Sequence, residues 1–134
     1  MGAMSNYLPR YPMPPLIPSL PAIPIEDAYA IDGLGVRYRF DVYLIDARPD
    51  RVCSVYAFAA RSGNWYWPKY IGIAERFRDR HSGHERLREA KTLGATHVLV
   101  HTPNLLDDIQ YKEAERRLIQ YYGPPLNKHH NPFA

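Results

Sequence analysis

A single cysteine, Cys53, stands in a chain of 134 residues. One thiol excludes an intramolecular disulfide and a cysteine-based zinc site, and it leaves a reducing cytoplasm as the default compartment. Cys53 itself reads as a buried strand thiol. No apolar run approaches the roughly 20 residues a bilayer-crossing helix needs, so no membrane segment is expected. The opening MGAMSNYLPRYPMPP lacks the unbroken apolar stretch of a signal peptide. Residues 1–3 read as a tag remnant, with Gly2-Ala3 a vector scar ahead of Met4. The chain also lacks an internal repeat, a zinc-finger pattern and a helix-turn-helix pattern. Neither sign of charge dominates: 17 Lys and Arg against 14 Asp and Glu leave +3. That balance suits a polyanionic partner without demanding one. The length fits one domain around one core.

Proline, by contrast, is plentiful and unevenly placed. Of 13 prolines, Pro9, Pro12, Pro14, Pro15, Pro18, Pro21 and Pro24 fall in residues 1–27. Proline fixes φ and lacks the amide donor, so this arm should be extended and polyproline-like. Leu16, Ile17, Leu20, Ile23 and Ile25 between the prolines want cover, which the arm's own domain or a second subunit would supply. Residues 28–50 form a strand extension, in which Val36, Tyr38, Phe40, Val42 and Leu44 alternate with polar neighbours. Arg48-Pro49-Asp50 turns the chain. Strands follow at Cys53–Ala60 and Tyr66–Ile73, separated by the turn signal Ser62-Gly63-Asn64, with Pro68 at a bulge or strand start. Helices are expected from Glu75 and from His84 to Leu93, then a short strand from Thr96 to Thr102. A last helix is expected to open at Pro103-Asn104 and stop at Gly123-Pro124-Pro125. The order predicts an α/β fold: a small, mixed or antiparallel three-stranded sheet flanked by helices, with an extra N-terminal strand and the arm.

The last helix holds an anomaly. Tyr111, Leu118 and Tyr122 recur at helical spacing, and Glu115 falls on their stripe. A carboxylate turned inward needs a metal ion or an arginine; the alternative is a stripe edge, with Glu115 reaching water. Arg76, Arg80 and His84, spaced by four, would share a helix face, either to meet an anion or as an ordinary solvated face.

These residues fall into one pattern. Ser54-Val55-Tyr56 and Tyr70-Ile71-Gly72 are followed by Arg80, His84, Glu115 with Leu118-Ile119, and Pro124 with Asn127. In order and spacing, residues 53–128 resemble the GIY-YIG nuclease family, with Ser54 in place of the first glycine. The resemblance implies that residues 51–134 form a catalytic domain, a metal-dependent endonuclease hydrolysing phosphodiester bonds of DNA. It implies one Mg²⁺ or Mn²⁺ per site, with Glu115 as metal ligand, a hard oxygen donor suited to such ions. Tyr56, Tyr70, Arg80, His84 and Glu115 are the implied catalytic residues. Arg80 would place two parallel donors on phosphate. Tyr56 would orient or deprotonate the attacking water, and Tyr70 and His84 would order the phosphate and its protons. Lys69, Arg76 and Asn127 are the expected substrate contacts, Asn127 chiefly as local support. His97 with His101, and His129-His130, complete no visible zinc set. Trp65, Tyr66 and Trp67 read as base-stacking or as packing residues. Two rival readings accompany this one: a nucleic-acid-binding module that does not cut, and an interaction protein working through its arm, for example as a homodimer.

Overall fold

Alternation along the chain sets the first two strands. β1 (Glu26–Ile31) and β2 (Arg37–Leu44) pair antiparallel. Their connection is organised by Asp32, a buried carboxylate that accepts from Leu34 N at 2.8 Å, Val36 N at 3.0 Å and Tyr38 Oη at 2.6 Å. Burial pushes its carboxyl up, but the bonds from Tyr38, Val36, Leu34 and Arg117 outweigh burial and hold it below the ordinary value. The structure, a computed structural model, describes residues 22–81 and 84–133. The expected extended arm thus lies outside the described residues up to position 21, and its last residues begin a regular strand.

β3 (Val52–Ser62) and β4 (Trp65–Arg76) form a hairpin on a two-residue loop, with Gly63 at φ 61° in the first loop position. The register runs Phe58 to Tyr70 and then Ala59 to Pro68, so Lys69 is the extra residue of a bulge. Proline cannot donate to the ladder, which explains the bulge beside Pro68. β5 (His97–His101) lies between β2 and β3, giving the order β1-β2-β5-β3-β4 with every neighbouring pair antiparallel. The sheet is therefore five-stranded and wholly antiparallel, where three strands with an appended one were expected. β2 is an interior strand, and its end is buried on both faces: Val42 on one, Tyr43 on the other, while Leu44 is exposed.

α1 (Phe77–His81) begins two residues later than expected, because Glu75 and Arg76 complete β4. α2 (Glu85–Thr92) ends before Gly94, which takes φ 96°. α3 (Tyr111–Tyr122) starts well after Pro103. The intervening polar side chains turn back on the backbone instead: Asn104 N donates to Asp107 Oδ2 at 2.9 Å, and Gln110 Nε2 donates to the carbonyls of Asn104 and Asp107. α3 stops at Gly123, whose φ of 54° is the left-handed cap.

Successive side chains of a strand point to opposite faces, so one sheet carries two cores. Val55, Ala57, Ile71 and Leu99 meet Ala114, Leu118 and Ile119 of α3. Tyr56, Phe58, Ala74, Val98 and Val100 meet Phe77 of α1 and Ala90 of α2. The buried stripe of α3 is Ala114, Leu118 and Ile119; Tyr122 stays partly exposed, its hydroxyl accepting from Ile31 N at 3.0 Å. Cys53 corrects the expectation of a buried thiol. It sits at φ 49°, which takes it off the alternating faces, and it is exposed. The open edge of β4 is covered by the chain after α3: Leu126 N donates to Lys69 O at 3.0 Å, and Asn127 makes two bonds to Ile71. No helix among the described residues is long and apolar enough to cross a membrane.

Candidate active site

Gly72 opens the site. It lies opposite Tyr56 in the β3–β4 ladder. A Cβ there would stand 2.6 Å from Tyr56 Oη, 2.7 Å from its Cζ and 2.9 Å from Tyr70 Cε2. Only the missing side chain lets the Tyr56 ring lie across β4.

Tyr56 is fully buried, with Oη 2.5 Å from His84 Nε2. His84 caps α2: its Nδ1 accepts from Arg86 N at 3.0 Å. A ring nitrogen that accepts carries no proton, so a neutral His84 holds its proton on Nε2 and donates it to the Tyr56 oxygen. The Tyr56 O–H is then directed elsewhere. Tyr70 stands 6.2 Å from Tyr56 and 5.6 Å from His84, centroid to centroid, and Phe58 and Phe77 close the aromatic box. Burial pushes the Tyr56 phenol well above its ordinary range, and Tyr70 adds to the rise. Arg80, exposed on α1, opposes it by charge and by a hydrogen bond, and the charge of Glu115 also reaches Tyr56 and raises it.

Glu115 comes from the opposite layer. It meets Tyr70 at the covered edge of β4, in a cleft of about 340 Å³ also lined by Arg86, Ile119, Asn127 and His129. Burial raises the Glu115 carboxyl, and the charge of His129 opposes this. Among the described residues it makes no ion pair. Tyr70 thus joins two groupings: Tyr56, His84 and Arg80 on one side, Glu115 on the other.

The three expected substrate contacts are placed differently. Lys69 is the bulged residue of β4, and Arg76 is exposed at that strand's end; neither lines the cleft. Asn127 does line it, but its side chain is engaged on both sides, Oδ1 accepting from Ile71 N at 2.8 Å and Nδ2 donating to Ile71 O at 2.7 Å. It clips the edge instead of facing a ligand. Sequence reasoning missed Arg86, Lys128 and His129 in the cleft wall. Arg86 was hidden among alternating charges, and it pairs with Glu89 at 2.7 Å. His129 was considered only with His130.

Ser54, at the first-triplet glycine position, is fully buried and hydrogen-bonded. It donates to Val52 O at 2.9 Å and lies 2.6 Å from Thr102 Oγ1, which accepts from Arg51 Nε at 2.9 Å. Arg51 in turn pairs with Asp41 at 2.7 Å. Among the described residues no group of three or more His, Cys, Asp or Glu converges as a metal cage. Compared with protein-family models, curated proteins and solved structures, the chain matches none.

Proposed function

We propose that the chain is a metal-dependent endonuclease of the GIY-YIG type, hydrolysing phosphodiester bonds of DNA. One observation carries this reading: Tyr56, Tyr70, Arg80 and His84, drawn from two strands, the end of α1 and the cap of α2, gather at the notch left by Gly72, with Glu115 beside Tyr70.

Glu115 fits a single hard cation. It is a partly buried carboxylate raised by burial, without an ion-pair partner among the described residues, and a nearby positive charge would favour its ionised form. One Mg²⁺ or Mn²⁺ held there would complete its shell with water and phosphate oxygen, as Mg²⁺ does at sparse carboxylate sites, and act as a Lewis acid on the scissile phosphate. Arg80 presents a planar, permanently charged pair of donors to the non-bridging oxygens. Tyr56 orients rather than deprotonates. Its phenol is pushed up, so it keeps its proton, and its oxygen accepts from His84, so its O–H points away from the imidazole. His84 fixes that direction because its own two nitrogens are engaged.

The test is nicking of supercoiled plasmid with and without Mg²⁺ or Mn²⁺. Glu115→Ala should abolish cleavage while the fold survives; cleavage retained by pure mutant protein refutes the reading. Plasmid binding without nicking by the unmodified chain would favour the non-cutting module.

A further inference from the structure

α3 covers only part of its face of the sheet. Beside it runs an apolar groove of about 510 Å³. Its floor is shallow-sided: Ala28 and Ala30 of β1, Ala57 and Ala59 of β3. Tyr66 and Tyr122 rise as walls. The rim carries ion pairs, Glu26 with Arg61 at 3.8 Å and Asp27 with Arg39 at 2.8 Å, and Glu26 is also bonded to Tyr66. An apolar floor and a charge-balanced rim offer no net positive charge to a polyanion, so the groove is a poor continuation of a nucleic-acid surface.

We propose that this groove is the docking site of the chain's own proline-rich arm, residues 7–20. Three observations converge on that occupant. Aliphatics and prolines alternate through PPLIPSLPAIPI, and Arg10 is the arm's one charged side chain. Proline-spaced chain has few amide donors to leave unsatisfied, and polyproline segments seat against aromatic walls. The described chain begins at Ala22, four residues before Glu26 at the groove's rim. Ala22 lies against the opposite core, so residues 7–20 reach the groove by passing round the edge of the sheet. That crossing takes about 10 Å, roughly three polyproline residues at about 3.1 Å each. The remaining arm, about 30 Å long, exceeds the width of about 19 Å of five strands spaced about 4.8 Å apart. A tethered segment that reaches its site acts at an effective concentration of about millimolar, which favours docking within one chain over a second copy's arm.

A nitroxide on the arm of the full-length protein tests this, with Cys53→Ser removing the only other thiol and Met13→Cys, in the middle of the segment, carrying the label. The label should broaden the methyl resonances of Ala28, Ala30, Ala57 and Leu99 far more than those of Leu87 and Ala90 on the opposite face. Equal broadening of both faces, or none, overturns the proposal. A mixture of labelled chains without isotope and isotope-enriched chains without label should show no broadening in the groove; broadening there assigns the arm to a second copy and overturns docking in cis. Leu16→Asp with Ile17→Asp should abolish the groove pattern, and Ala30→Arg should do so from the groove side. A pattern that survives both refutes the assignment.

Discussion

The two faces of the sheet are built from the same strands yet differ in kind. On the face under α1 and α2, buried rings carry hydroxyl and imidazole groups, and each polar atom must find a partner. Tyr56 and His84 meet for that reason, and the direction of their bond follows from the cap on Arg86. On the face under α3 the contacts of Val55, Ala57, Leu118 and Ile119 are apolar and non-directional, and Tyr38, bonded to Asp32, is the polar exception among its buried residues. Such a face tolerates incomplete cover, and a groove stands open beside α3. Directional burial fixes geometry, whereas apolar burial fixes only area.

Gly72→Ala attacks the directional face at its narrowest point. The added methyl meets Tyr56 and Tyr70 at under van der Waals distance, and the Tyr56 ring is fully buried. Overpacking of this kind costs about 1–3 kcal/mol. The displaced Tyr56 hydroxyl should also cost cleavage about 10²-fold or more, since a shift of about 1 Å has that effect. A thermal melt and a nicking assay measure the two losses. Full activity in a stable Gly72→Ala protein would show that Tyr56 need not sit across β4.

Neighbouring residues on β3 sharpen the contrast. Val55 and Tyr56 are both fully buried and face opposite cores. Val55→Ala should cost about 2 kcal/mol through lost transfer and cavity terms, with cleavage per folded molecule unchanged. Tyr56→Phe keeps the ring but removes its hydrogen bond with His84, a cost of about 1 kcal/mol or more, and should also remove most cleavage. Denaturant unfolding beside single-turnover cleavage separates the two. Equal activity losses in both variants would mean that Tyr56 matters only as packing.

The difference between the faces also explains what the sequence disclosed. Alternation revealed β2, turn signals and β-rich composition revealed β3, β4 and β5, and Gly63 marked the end of β3 while Gly94 and Gly123 marked the ends of α2 and α3. β1 escaped because EDAYAI mixes alanine with charge and follows a proline-rich stretch. The insertion of β5 between β2 and β3 is a long-range pairing that local pattern does not encode. The start of α3 was misplaced because Asn104, Asp107 and Gln110 bond to their own backbone in place of a helical turn. At the site, helical phase drew attention to Glu115 and a four-residue spacing to Arg80 and His84, whereas Tyr56 and Tyr70 entered only through the family resemblance. The cap made by His84 and the engagement of Asn127 with Ile71 were not legible, because both depend on backbone partners brought near only by folding.

Glu115 sits where the two layers meet, and it gives the smallest expected effect. Its folded carboxyl is raised by burial, so the folded state binds the proton more tightly than the unfolded chain does. The associated stability is fully present below the ordinary glutamate value of about 4.3 and is lost as pH rises through the folded value. At neutral pH without divalent ions the ionised group is therefore a burden. Glu115→Gln should raise Tm there by about 1–3 °C, a modest shift because solvent still screens a partly exposed group. The gain should vanish below about pH 4, where both states of Glu115 are protonated. Adding Mg²⁺ should stabilise the unmodified chain and not the glutamine variant, since only ligand bound to the folded state shifts the equilibrium. A glutamine variant that melts lower than the unmodified chain at neutral pH would mean that a protein cation already compensates Glu115, and a metal would then find no unbalanced charge to answer.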